Sequence, residues 1–356
     1  MLGISIYLGS EPISKQIPYI RNMREMGFES IFTSLHIPEE NQTIYKEQLQ
    51  ALGKVATELE MELMADISPH SLEVLEIEWE TADNLLSWGL TGLRIDYGVD
   101  EQMIIDLSHK MRIALNASTI TKDELNRMKE KGLNVAAVEA WHNYYPRPET
   151  GLGFSDFIKK NTELKEAGIT VMAFIPGDAK LRGPLFEKLP TLEQHRTVSP
   201  FAAFLDLEKV GDVDKIMVGD VTISDASREQ FRAYDQGEIV VRAIASKEAD
   251  KELLKKAAEP FTNRADPARD LVRSVESRSY AQYGATVVHP QNMVERPIGS
   301  ITIDNERYMR YQGEIQITLT DLPADERVNV LGKVIEADVP ILRWLKENQK
   351  FRIVWV

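Results

Sequence analysis

Up to about residue 236 the chain alternates short, β-rich apolar runs with amphipathic stretches of helical period. The apolar runs predict strands at Gly3–Tyr7, Ser30–Thr33, Glu62–Ala65, Gly92–Ile95, Met111–Leu115, Val135–Val138, Thr170–Ile175 and Lys215–Val218. Between them, IPYIRNMREMGF, TIYKEQLQALGKVATELEM, EVLEIEWETADNLLSWGL and KDELNRMKEKGL space their apolar residues at helical intervals. Three of these run into a glycine, the usual stop signal. Eight strands, each followed by a helix or a long loop, predict an α/β fold, a (β/α)8 TIM barrel, in preference to a doubly wound open sheet. After Gly237 the pattern changes. EIVVRAIA, GATVVH, YMRYQGEIQITLT, VNVLGKVI and FRIVWV are alternating or apolar β runs, and one helix, VPILRWLKENQ, is expected near the end. This predicts a small β-barrel domain, and so a division into 1–236 and 237–356.

A chain of 356 residues with 43% hydrophobic and 28% charged residues reads as an ordinary globular protein. Its net charge of -14 argues against nucleic acid or an anionic membrane as the main partner. The absence of cysteine excludes disulfides and thiolate chemistry. The N-terminal MLGISIYLGSEPISKQ lacks the basic and long apolar regions of a signal peptide and reads as the first strand. No window approaches the roughly 20 apolar residues of a membrane span. A cytoplasmic location follows as the expectation. Oligomeric state is left open, a homo-oligomer included.

Active sites of (β/α)8 enzymes lie at the C-terminal ends of the strands. The richest of these is Val135–Gly153, VAAVEAWHNYYPRPETGLG, an apolar run that ends in a carboxylate and then a loop of aromatic and hydrogen-bonding groups. Such a loop suits a polar ligand with flat apolar faces, as a sugar has. The other predicted strand ends supply Ser10 and Glu11, His36, Glu39 and Glu40, Asp66, Arg94 and Asp96, Asn116 and Ser118, Asp178 and Arg182, and Asp220. A lone Asp or Asn at a strand end is commonly a helix N-cap, and that alternative stands for Asp66, Asp178 and Asp220. Asp96 and Glu139 are the better acids, since neither directly precedes a helix start. Glycoside hydrolysis needs two carboxyl groups about the scissile bond. Glu139 is expected as general acid and Asp96 as base or nucleophile, with Asp178 in reserve. Trp141, His142, Asn143, Tyr144 and Asn116 are expected to hold sugar, with His36, Asp66 and Arg94 beside them. No strand end carries the paired acids expected for substrate-assisted hydrolysis.

The loop after the seventh strand, PGDAKLRGPLFEKLPTLEQHRTVSP, is basic against an acidic background. Arg182 and Arg196, with Arg147, are candidates for a phosphate or carboxylate; the arginines equally can pair with Glu187 and Glu193. NRADPARDLVRSVESRSYAQYG puts Arg269 and Arg273 one helical turn apart, either as a cationic lip or as a salt-bridged linker. His36, Asp66, Asp96, Glu139 and His142 are the residues from which a metal site would be drawn, although no HxH or HExxH occurs. The preferred reading needs no cofactor.

IFTSLHIPEE, LRIDYG, NAS, EAWHNYYPRPETGL, PGD, RGPL, LPTLEQHR and NRADPARDLVRSVESR together resemble bacterial proteins labelled "outer surface protein", a family that includes 6-phospho-N-acetylmuramidases. The resemblance covers essentially the whole chain. It implies a TIM barrel followed by a cyclophilin-like β-barrel, and a cytoplasmic enzyme that hydrolyses N-acetylmuramic acid 6-phosphate–N-acetylglucosamine in cell-wall recycling. No catalytic pair is carried over from it. A metal-dependent sugar-phosphate isomerase or epimerase, an aldolase, and a non-catalytic carbohydrate sensor are the alternatives, and no predicted strand ends in a well-placed lysine for the aldolase.

Overall fold

Eight parallel strands pair in sequence order and close on themselves. They are β1 (Leu2–Ser5), β2 (Phe28–Ser34), β3 (Glu62–Ile67), β4 (Gly92–Ile95), β5 (Arg112–Asn116), β6 (Val138–Trp141), β7 (Thr170–Ile175) and β8 (Lys215–Val218). The last closes on the first through Leu2–Ile4 against Ile216–Val218. This is the expected TIM barrel. The computed structural model describes residues 1–9, 11–35, 37, 44–95, 98–279 and 287–356, in two compact units, Met1–Ser224 and Asp225–Val356.

Alternation along each strand sends every second side chain inward. Phe32, Met64, Ala114, Trp141, Met172, Phe174 and Met217 form the packed interior. Two glycines make room for it: a Cβ on Gly3 would lie 2.2 Å from the Met217 sulfur, and one on Gly92 2.8 Å from that of Met64. Below this layer, at the N-terminal ends of the strands, the interior is ionic. Lys215 donates to Glu62 at 2.6 Å and to Glu139 at 2.7 Å, and Arg112 donates to Glu139 at 3.1 Å. The indole N–H of Trp141 reaches the other Glu139 oxygen at 2.7 Å.

Two elements differ from expectation. The run Val135–Ala137 is a 3-10 turn, and β6 begins only at Val138. An apolar VAAV looks more strand-like than VEAW, yet it is VEAW whose alternation places Glu139 and Trp141 inside. The helix expected over EVLEIEWETADNLLSWGL is broken. Pro69–Leu75 is capped by Ser68 and ends at Glu76 in the left-handed region, and Trp79–Trp88 then winds as a 3-10 helix.

The second unit is a seven-stranded sheet in the order β10-β15-β9-β14-β12-β13-β11. Its strands are β9 (Glu238–Ala245), β10 (Phe261–Thr262), β11 (Leu271–Arg273), β12 (Ser300–Asp304), β13 (Ile315–Thr318), β14 (Val328–Val334) and β15 (Lys350–Trp355). A bridge between Asn263 and Ser274 brings the edge strands together and nearly closes the barrel. The helix Asp225–Asp235, which follows the eighth barrel strand, clusters with this unit. Its buried Gln230 donates to the Val240 carbonyl and to Asp338, the same carboxylate that clamps Arg242 with two hydrogen bonds. The expected C-terminal helix is a 3-10 segment, Glu336–Trp344. In the arginine-rich motif Arg269 and Arg273 do not share a helix: Leu271–Arg273 is β11, and Glu276–Ser279 winds as a 3-10 turn. Arg264 and Arg273 share Asp266, and Arg269 pairs with Asp270, so the salt-bridged alternative describes it. The last residues of that motif and the first of GATVVH lie outside the described residues.

Asp304, at the end of β12, is buried, and one of its oxygens has no hydrogen-bond partner. Burial first, and then the charge of Glu314, pushes its carboxyl up to about 8. A carboxyl raised by folding contributes stability below its unfolded value of about 4, and that contribution is lost as pH rises through the folded value. Asp304→Asn is therefore expected to raise the melting temperature of this unit at pH 8 and to flatten its dependence between pH 5 and 8, as thermal unfolding at stepped pH would register. An unchanged slope would place the titration elsewhere.

Candidate active site

The polar groups of the barrel mouth come from the residues that continue the inward alternation of the strands. Asp66 ends the inward series of β3 and Arg94 that of β4, and Asn143 and Tyr144 lie just past the end of β6, after His142. Arg94 donates to Asp66 at 2.6 Å and to the Asn143 side-chain oxygen at 2.5 Å, and Ser34 donates to the other Asp66 oxygen at 3.3 Å. Arg94 is nearly buried and Asp66 partly exposed, so the carboxylate is held by a desolvated guanidinium yet is open to the mouth. Asn116, at the end of β5, accepts the Ser118 N–H at 2.9 Å.

Beside this group stands an aromatic–arginine cluster. The Tyr144 ring packs edge-on against Phe32 and Phe174, at 6.3 and 5.1 Å between centroids, and so forms the roof of the apolar interior. Its hydroxyl accepts from Arg182 at 2.8 Å. The same guanidinium lies 4.6 Å over the ring of Tyr7, whose hydroxyl donates to the Gly219 carbonyl. Burial raises both phenols above their ordinary range, so both remain neutral donors at physiological pH. Tyr7, Arg182 and the tip of the β7 loop line a cleft of about 290 Å³.

Asp66, Arg94, Asn116, Asn143, Tyr144 and Arg182 are thus at the C-terminal mouth. Arg147 is exposed on the loop after β6 and has no ion-pair partner among the described residues. His36 and Asp96 lie outside the described residues, as do Ser10, Glu39 and Glu40. The remaining expected site residues are elsewhere. Glu139 does not end its strand: it is the second residue of β6, 2% exposed, and its oxygens are taken by Lys215, Arg112 and Trp141 at the N-terminal end of the barrel. Trp141 is wholly buried in the interior, so its faces are not offered to a sugar. His142 points outward from the barrel, packs at a tilt against Phe157 and bonds Asn161 at 2.7 Å; burial lowers its imidazole to about 4, which keeps it neutral. Asp178 accepts the backbone N–H and hydroxyl of Ser224 at 2.7 and 2.9 Å, a structural tie. Arg196 is buried and fastens the loops after β6 and β7, bonding Glu193, the carbonyls of Glu187 and Lys188, and that of Tyr145. Glu193 in return is held down to about 2, chiefly by Arg196. The described members of the metal set, Asp66, Glu139 and His142, therefore face three different places.

Sequence reading missed Tyr7 and Ser34. Both were placed within or beyond the reach of a strand end, but Gly3, Ser5 and Tyr7 form one alternating series, and so do Ser30, Phe32 and Ser34. Following parity from the strand interior would have found them.

A closed parallel barrel with a carboxylate–arginine–amide group at its C-terminal mouth and a second, β-barrel unit after it defines a two-unit TIM-barrel protein of the kind that hosts enzyme sites. Residues 2–233 match the N-terminal part, and residues 238–354 the C-terminal part, of 6-phospho-N-acetylmuramidases. The chain belongs to that family, whose name implies a glycosidase. It is similar to a crystal structure of a conserved Enterococcus faecalis protein of unknown function, with 42% identity over 100% of this chain and 96% of that one and a TM-score of 0.89. It is also similar to an uncharacterized B. cereus protein, with 26% identity, 99% of each chain and a TM-score of 0.71. No curated protein matches the chain. No helix among the described residues is long and apolar enough to cross a membrane.

Proposed function

We propose that the protein is a glycoside hydrolase that cleaves N-acetylmuramic acid 6-phosphate–N-acetylglucosamine during cytoplasmic recycling of cell-wall sugar. Family membership across both units supports the reaction class, and the Asp66–Arg94–Asn143 group supports its location. Ion-paired with Arg94, Asp66 suits the charged role in the reaction, as base or nucleophile against an oxocarbenium-like transition state. Asp96, which follows β4 directly in sequence, is the second carboxyl of the pair and the proton donor to the leaving oxygen. Asn143, Tyr144 and Asn116 offer hydrogen bonds to sugar hydroxyls, and Arg182 and Arg147 offer cationic groups to the substrate's anions.

The test is incubation of the purified protein, with EDTA present, with the phosphorylated disaccharide and with its unphosphorylated twin, followed by mass spectrometry. Cleavage of the phosphorylated form alone is expected. Cleavage of neither, or of both at equal rates, would contradict the reading.

A further inference from the structure

The cleft of about 290 Å³ lies between the residues after β1, those after β8 and the β7 loop. Barrels that take phosphate at this corner do so with backbone N–H groups of these loops. Here those donors are engaged from within. The Asp220 carboxylate accepts the N–H groups of Gly177, Leu189 and Arg182 at 2.8, 3.0 and 3.1 Å. Thr222 accepts those of Lys180 and Ala179 at 3.0 and 3.4 Å. An internal carboxylate thus occupies the place of an external anion, and recognition in the cleft falls to side chains. Two cations line it: Lys180, ion-paired with Glu11 at 2.8 Å, and Arg182, which lies over the Tyr7 ring and donates to the Tyr144 hydroxyl from inside the cleft.

The rest of the lining includes Ile37, Pro184, Phe186 and Val221. Phe186 is 61% exposed and holds a left-handed backbone, φ 57°, that bulky side chains rarely adopt. Its ring is packed against Gly183, where a Cβ would come within 3.1 Å of it. An exposed aromatic ring kept in a strained conformation at the rim of a cleft is a wall for an apolar group. A hydrated phosphate gains nothing from such a wall. A short carboxylic acid bearing an alkyl group uses both the wall and the guanidinium.

We infer that this cleft is the subsite for the lactyl ether of the muramic sugar, with its carboxylate on Arg182 in a forked pair and its methyl group against Phe186, Ile37 and Val221. The inference rests on the amino-sugar reading above and makes Arg182 and Phe186 the residues that distinguish a muramic from a glucosamine unit.

Calorimetric titration with N-acetylmuramic acid 6-phosphate and N-acetylglucosamine 6-phosphate, which differ only in that arm, tests it. The wild-type protein is expected to prefer the muramic ligand by about tenfold or more, the worth of one charge-assisted pair. Arg182→Gln brings the ratio near one, Arg182→Lys keeps part of it, and Phe186→Ala lowers it severalfold. Melting temperatures of the variants confirm that they fold. Equal affinity in the wild type, no binding of either ligand, or a preference that survives Arg182→Gln overturns the inference. A protein that shows the preference but cleaves no disaccharide keeps the subsite and loses the hydrolase reading. One that cleaves muramic and glucosamine 6-phosphate disaccharides with equal kcat/KM keeps the hydrolase and loses the subsite.

Discussion

Asp66→Asn is expected to leave the barrel folded and to lower kcat on the phosphorylated disaccharide by about a thousandfold, the scale of a positioned acid–base or nucleophilic group. The amide retains one oxygen to accept from Arg94, and its NH2 can donate to the Ser34 hydroxyl where the carboxylate accepted from it, so the geometry at the end of β3 survives. What is removed is the negative charge opposite the cationic transition state. Arg94 keeps its hydrogen bond but loses its counter-charge while nearly buried, so a moderate fall in melting temperature is expected, smaller than that of removing a partner outright. Single-turnover kinetics on the variant, with thermal unfolding in parallel, separates the two effects. A kcat within about threefold of wild type in a folded variant would remove Asp66 from the chemistry.

The largest effect on stability is expected at Lys215. Its side chain is 5% exposed and holds two carboxylates, the partly buried Glu62 and the buried Glu139, from across the barrel. Lys215→Met leaves Arg112 as their one cation among the described residues, with the Trp141 indole still donating to Glu139. Removing one partner of a buried ionic group costs about 3–5 kcal/mol, because the charge that remains stays desolvated. For a unit of this size that is about a 10 °C fall in melting temperature. Glu139→Gln is milder, since the amide keeps one oxygen to accept from Lys215 and loses only the acceptor for the Trp141 indole. Its expected signature is a lower melting temperature with turnover per folded molecule unchanged, whereas Asp66→Asn loses turnover. Loss of turnover without loss of stability in Glu139→Gln would return the acid role to Glu139.

The barrel was legible because its strands are short, apolar and regularly interrupted. Thr170–Ile175 and Lys215–Val218 were read with the bounds the structure has. The sixth strand was not, and the cause is physical. A strand that points a carboxylate into an ionic layer looks polar, while the exposed turn before it looks apolar. That three-residue slip carried Glu139 from the closed end of the barrel to its mouth and made Trp141 and His142 look like sugar ligands. Burial of a histidine against a helix, or of an arginine between two loops, depends on partners such as Asn161 and Tyr145. Asn161 lies in the following helix and Tyr145 in another loop, so a local motif does not reveal either pairing. Asp66, Arg94, Asn143 and Tyr144 were found because each lies next to a strand end whose position was read correctly or whose loop stays at the mouth despite the slip.

The measurement that bears most directly on the account is a crystal structure of the protein with N-acetylmuramic acid 6-phosphate bound. The sugar is expected at the C-terminal mouth, with its anomeric carbon beside the Asp66 carboxylate and its lactyl arm toward Arg182. A sugar bound away from Asp66, whether on the outer face of the barrel or on the second unit, would contradict it.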